Sequence, residues 1–168
     1  MDTGWENVRG RMLALRALEK ALRDMRRGDG FLYGNAGSGA IWTAVLDEHL
    51  RESIGEEYET LRDREAPLIH GLLHVRNGIS HAASVTTQDA GLTVPFVIPV
   101  VIPAAAWLPL EEVHRRWTPN GLNGARVKHR IAMYEQHLAG RDPAETLRTV
   151  HDFFAALEAA DWQPNEVR

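Results

Sequence analysis

An all-α fold, a helical bundle interrupted by one extended insertion, is what this sequence predicts. Apolar residues recur at three- and four-residue spacing in stretch after stretch, the pattern of helices with one buried stripe. Glycine and proline punctuate those stretches where helices should stop and start. A single uncharged segment with a proline at every fourth position fits neither a helix nor a loop, and it reads as extended chain. At 168 residues, with 44% hydrophobic and 25% charged side chains, residues 1–168 suffice for one globular domain with an ordinary core.

The first helix runs from about Trp5 to Arg27, with Val8, Met12, Leu15, Leu18, Leu22 and Met25 on its apolar stripe. The stretch "RRGDGFLYGNAGSGA" carries five glycines and reads as a mobile loop over 28–39. It lacks the Lys-Ser/Thr ending of a phosphate-cradling loop, and no strand precedes it. Ser38 is placed to cap a second helix over roughly 39–54, with Ile41 and Val45 facing inward. A short helical stretch, "EEYETLRDRE", comes next. Pro67 suits a first helical turn, so a further helix extends from about Ala66 to Ser84.

The insertion spans about 86–110. Within "GLTVPFVIPVVIPAAAWLPL", Pro95, Pro99, Pro103 and Pro109 would each break a membrane-spanning helix, whereas the β-branched residues between them suit edge strands or a β-hairpin. "LEEVHRRW" then forms a helical turn and "TPNGLNG" a loop. A helix from about Ala125 to Leu138 precedes the last one, Pro143 to Ala160. Asp142 is the N-cap of that last helix, Pro143 its first residue, and Leu147, Val150, Phe154 and Leu157 its inward face.

Several function classes lose their carriers at once. The chain has no cysteine, hence no disulfide, thiolate zinc site or cysteine nucleophile. It has no Gly-x-Ser-x-Gly elbow. No apolar leader precedes the first helix, so a cytoplasmic protein without a membrane partner is expected. The net charge is −4, which does not favour a polyanion as partner of the whole surface.

The chemistry-bearing stretch is "GLLHVRNGISHAAS", 71–84. On a helical wheel Leu68, Leu72, Val75, Ile79 and Ala82 share one stripe, and His70, His74, Asn77 and His81 share the opposite one, with Arg76 at the flank. A solvated face is the plain reading of the second stripe. His70 and His74 also have the i, i+4 spacing of a metal pair, but no carboxylate joins them, and no metal is expected. A third reading takes Arg76, Asn77 and His81 as a unit. "RNGISH" resembles the R-x4-6-H signature of HEPN domains, in which a polar residue follows the arginine. The longer pattern "GLLHVRNGISHA…PFVIPVVIP…WLPLEEV…YEQHLAGRDPAETL" is similar to uncharacterised actinobacterial proteins.

The resemblance implies an HEPN-like helical bundle and a metal-independent endoribonuclease needing no cofactor. His81 would carry protons, Arg76 would stabilise the phosphate oxygens, and Asn77 would orient the ring or the substrate. The products would end in a 2′,3′-cyclic phosphate and a 5′-hydroxyl. Arg76 and His81 lie roughly 140° apart around one helix. The homodimer that such enzymes generally form would let two motif helices share one cleft. A toxin or phage-defence effector, with a possible antitoxin protein as partner, is the implied setting. The alternative is a non-catalytic HEPN-like module that binds RNA, a nucleotide or a protein and dimerises through the histidine face.

For RNA the first helix offers Arg9, Arg16, Lys20, Arg23 and Arg27 on one narrow face roughly 27 Å long, and the motif helix offers His74. A solvated face explains the same stripe. Trp42, Trp107 and Trp117 are better suited to packing than to base stacking.

Overall fold

The computed structural model describes residues 3–27, 32–82, 87–88, 105–117 and 124–164. Across them run α1 (Thr3–Arg27), α2 (Leu32–Ile54), α3 (Glu56–Glu65), α4 (Leu68–Ala82), β1 (Thr87–Gln88), β2 (Ala106–Trp107), α5 (Leu110–Arg116), α6 (Ala125–His137) and α7 (Pro143–Ala159). The fold is all-α, as the periodicity predicts. Among the described residues no helix is long and apolar enough to cross a membrane.

The ends of α7 show how local chemistry sets an element. Asp142 accepts a hydrogen bond from the Ala144 N–H at 2.8 Å, and Pro143 occupies the first turn, where a missing N–H costs nothing. Leu147, Val150, Phe154 and Leu157 are then all fully buried. Helix α1 buries Leu15, Leu18, Leu22 and Met25 as expected, but Val8 and Met12 stay half-exposed and Leu13 is 58% exposed. In their place Arg11 turns inward, donating to Ser53 Oγ at 3.2 Å and lying over the Trp162 ring.

The glycine-rich stretch departs from its sequence reading. Residues 28–31 lie outside the described residues, but the chain is already helical from Leu32, so 32–39 is the first part of α2 and not a loop. Here glycine serves packing. A Cβ on Gly39 would sit 2.4 Å from a Leu147 methyl of α7, and one on Gly37 would sit 3.1 Å from Ile79 of α4. With Ala36, Ala40 and Ala44 fully buried at four-residue spacing, α2 presents a row of small residues on which its neighbours pack closely. Favourable packing outweighs the poor helix propensity of glycine.

Between α2 and α4 the polar core is built. Asp47 of α2 accepts from Tyr58 Oη and from Arg62 Nη1 of α3, each at 2.9 Å, and all three side chains are buried. Arg62 also pairs with Asp63 at 2.9 Å, and Asp63 reaches His70 Nε2 at 2.9 Å. A buried arginine is tolerated because its donors meet carboxylates.

Helix α4 is covered over much of its length. Ile69, Leu72, Leu73, Val75 and His74 are all at most 4% exposed, and Gly71 and Gly78 are buried as well. Gly71 marks the crossing with α6, where an added Cβ would fall 3.0 Å from the Tyr134 Cα and 2.8 Å from Leu138. The burial of Gly78 also means that its missing side chain does not lie on a surface open to RNA or a partner helix.

Of the insertion, residues 89–104 lie outside the described residues. Its two ends pair antiparallel, Thr87 with Trp107 and Gln88 with Ala106. The returning strand is not a surface edge. Trp107 is fully buried, its Nε1 donating to Thr146 Oγ1 at 3.1 Å, and its backbone pairs with Gly140 and Arg141 at 2.9 Å each. Tyr134 Oη donates to the Leu108 carbonyl at 2.6 Å. Trp107 thus packs in the core, and Trp42 and Trp117 pack partly buried against it.

Gly71→Ala should lose about 1–2 kcal/mol, because overpacking a fixed backbone outweighs the gain of about 1 kcal/mol in helix propensity. Gly10→Ala meets only ordinary contact, 3.8 Å from His49 Cε1, and should gain stability. Urea unfolding midpoints of the two variants should move in opposite directions.

Candidate functional site

Helix α4 carries the motif residues out of the core toward its C-terminal end. Arg76 and Asn77 are partly exposed, and Arg76 Nη1 donates to Asn77 Oδ1 at 3.3 Å. The other arm of the guanidinium is 3.9 Å from Glu48 Oε2 on α2, a loose ion pair between exposed groups. His81 is one helical turn beyond Asn77 in α4, and its side chain lies outside the described residues. The structure therefore joins Arg76 to Asn77 and leaves the relation of either to the His81 ring undescribed.

Of the expected outward stripe, His74 is buried while His70 and Asn77 are partly exposed. His74, read from sequence as a possible RNA contact, is 2% exposed and packs against the rings of His114, Trp117 and Tyr134, with centroids 5.7, 5.2 and 5.5 Å away. The physical reason is the close crossing at Gly71, which brings α6 over the side of α4 that a helical wheel assigns to solvent. His70 turns elsewhere, toward Asp63 and the edge of His129, 4.5 Å between centroids. The two imidazoles of the i, i+4 pair thus have separate partners. Among the described residues no three His, Cys, Asp or Glu side chains are placed to hold a metal ion.

Burial pushes the His74 imidazole down to about 4, with His114 and Arg130 adding repulsion, so His74 is neutral at physiological pH. Its Nε2 is buried and has no hydrogen-bond partner. His70 is also lowered by burial, although Asp63 opposes this.

Arg130 of α6 was not singled out by sequence. Burial lowers its pKa to about 10, and repulsion from Arg126, Arg76 and Arg51 adds to this, with Asp47 as the opposing carboxylate. Arg130 thus feels the charges of guanidinium groups on α2, α4 and α6, Arg76 of the motif among them. The first turn of α6 has no acidic residue to offset them. In the sequence Arg51, Arg76 and Arg130 are far apart, and the effect of the first two on Arg130 exists only after three helices pack.

The basic stripe of α1 is real but partly neutralised. Arg9, Arg16, Lys20 and Arg23 are exposed, yet Lys20 pairs with Asp24 and Arg23 pairs with Glu19 at 2.9 Å. Arg9 and Arg16 instead border a groove of about 510 Å³ lined by Val8, Met12 and Leu13. The side chain of Arg27 lies outside the described residues.

No known protein family, no curated protein and no solved structure matches the chain.

Acid should unfold the protein through His74. The folded state holds this ring neutral down to about pH 4 while the unfolded chain protonates near 6.5, so the folded state binds fewer protons between those values. The stability that depends on neutral His74 is complete above about pH 6.5 and is lost as pH falls toward 4. His74→Phe should gain about 3 kcal/mol relative to wild type on going from pH 7 to pH 4, read from urea unfolding at each pH. Parallel pH profiles of the two proteins would remove His74 as the acid-sensitive group.

Proposed function

We propose that this chain is a metal-independent endoribonuclease of the HEPN type, acting as a homodimer. The observation that carries this reading is the meeting of the "RNGISH" motif with a concentration of positive charge. Arg76 is half-exposed at the motif, bonded to Asn77, and its charge reaches Arg130 of α6 on an all-α bundle. An otherwise acidic chain gathers cations at the place where the resemblance puts a scissile phosphate.

The chemistry asks little more of the protein. The 2′-oxygen attacks the adjacent phosphorus, the bond from phosphorus to O5′ breaks, and the 2′-hydroxyl proton is taken up while O5′ receives one. His81 suits the proton transfers because an imidazole exchanges protons near neutral pH. Arg76 suits the phosphorane oxygens because its guanidinium is planar, permanently charged and two-pronged. Asn77 bonds Arg76, which gives it a positioning role on the arginine. The roughly 140° between Arg76 and His81 on one helix is the reason for two copies, each helix completing the other's site. Work on RNA in the cytoplasm, as a toxin or defence effector held by an antitoxin, follows from this reading.

Wild type, His81→Ala and Arg76→Ala incubated with total RNA in EDTA provide the test. Wild type should cut, leaving 5′-hydroxyl ends that a polynucleotide kinase labels, and each variant should lose about 100-fold or more of the rate. Absence of cutting by wild type, with RNA still bound, would replace the enzyme by the non-catalytic RNA-binding module. Activity that needs an added divalent ion would remove the metal-free mechanism.

A further inference from the structure

The first half of α1 is turned the wrong way round for a core helix. Arg11 is inside, 8% exposed, donating to Ser53 Oγ at 3.2 Å and lying over the Trp162 ring, while Val8 and Met12 stay half-exposed and Leu13 is 58% exposed. From Ala14 onward the ordinary order returns, with Leu15, Leu18 and Leu22 buried. The apolar side chains turned outward do not form a flat surface. They line a groove of about 510 Å³ together with Arg9 and Arg16. Both arginines are exposed, and neither has a carboxylate partner among the described residues, whereas Lys20 and Arg23 on the same helix are paired with Asp24 and Glu19. Arg9 and Arg16 are almost two full turns apart, so they leave one line of the helix roughly 10 Å from each other, with Met12 and Leu13 between them.

We infer that this groove docks an acidic amphipathic helix of a partner protein. Apolar side chains three or four residues apart on that helix fill the floor over Met12 and Leu13, and carboxylates about one heptad apart meet Arg9 and Arg16. The charge pattern selects this occupant over three others. A second copy laid on α1 about a two-fold axis would set arginine against arginine whichever way it ran. RNA would meet two cations but no aromatic side chain among the described lining residues on which to stack a base. An anionic bilayer favours a flat apolar face rich in cations, whereas Glu19 stands exposed on the same helix and the whole chain carries −4. No residue of the groove belongs to α4, so the docking site stands or falls apart from RNA cleavage.

The test uses the full chain and a designed peptide of about 15 residues, bridged to hold its helix, with leucines on one face and two glutamates about one heptad apart beside them. Fluorescence anisotropy of the labelled peptide should show saturable binding to wild type. Leu13→Ser should weaken it about ten-fold, the loss of one leucine contact. Arg9→Glu combined with Arg16→Glu should abolish it and bind instead the same peptide with lysines in place of the glutamates, a charge swap that a merely structural role does not produce. Lys20→Gln removes a cation outside the groove and should leave the affinity within about two-fold. Leu13→Ser should melt no lower than wild type, because the side chain is exposed in the free protein.

Failure of the glutamate peptide to bind wild type would overturn the docking site, as would equal binding of the glutamate and lysine peptides or an affinity untouched by Leu13→Ser. Wild type that ignores the peptide but floats with phosphatidylglycerol vesicles, or takes up a single-stranded oligoribonucleotide through Arg9 and Arg16, replaces the helix by a membrane or by RNA and overturns it equally. Should the double reversal fail to fold, Arg9→Gln and Arg16→Gln must each weaken binding of the glutamate peptide, and unchanged affinity in both sinks the site. Peptide binding with the charge swap intact, in a protein that never cuts RNA, removes the cleavage reading and leaves the groove standing.

Discussion

The crossing of α4 over α6 at Gly71 is the contact on which the rest of the molecule depends. Only a residue without Cβ lets the Tyr134 backbone come this near. Because the two helices are that close, α6 covers the flank of α4 that would otherwise meet water, and His74 becomes a core residue among aromatic rings. Tyr134, held at the crossing, sends its hydroxyl to the Leu108 carbonyl and so ties the end of the insertion to the bundle. Trp107 beside it locks to the turn between α6 and α7 through two backbone hydrogen bonds and to Thr146 of α7 through a third. A second close approach, α2 on α7 at Gly39, places α2 against the opposite part of the core. Packing at near-van der Waals distance makes these arrangements discrete, since interiors tolerate neither voids nor overlap.

Charge is distributed in two contrasting ways around that frame. The Tyr58–Asp47–Arg62–Asp63–His70 chain is internally satisfied, each carboxylate facing a donor, and it joins α2, α3 and α4. Asp63 is accordingly held below the usual carboxylate range: burial raises it, but the bonds from His70 and Arg62 outweigh that. Elsewhere the balance is less complete: burial and the charges of Arg126, Arg76 and Arg51 lower Arg130, with Asp47 opposing them. On α1 the contrast is milder, with Lys20 and Arg23 paired along the helix and Arg9 and Arg16 bordering an apolar groove.

Much of this fold was legible in the sequence, and the reasons are local. The three- and four-residue apolar spacing of α1 and the N-cap and proline that open α7 each act within a few residues of chain. The failures are equally specific. The glycines at 37 and 39 look like loop residues when judged by propensity, and become helix residues because Ile79 and Leu147 need their space. The wheel of α4 separates an apolar from a polar stripe, but it has no means of knowing that a second helix covers the polar one.

By itself the sequence determined that the protein is helical, where most helices begin and end, and that Arg76, Asn77 and His81 are carried on one helix. It also determined the absence of thiol chemistry. Only the tertiary structure decided which of the polar residues meet solvent: it buried His74 and Arg62 and left Arg76 and Asn77 at the rim. The division has one physical cause. Helix formation and capping are settled by hydrogen bonds and sterics between near neighbours, whereas burial and electrostatic encounter depend on which helices approach one another and how closely.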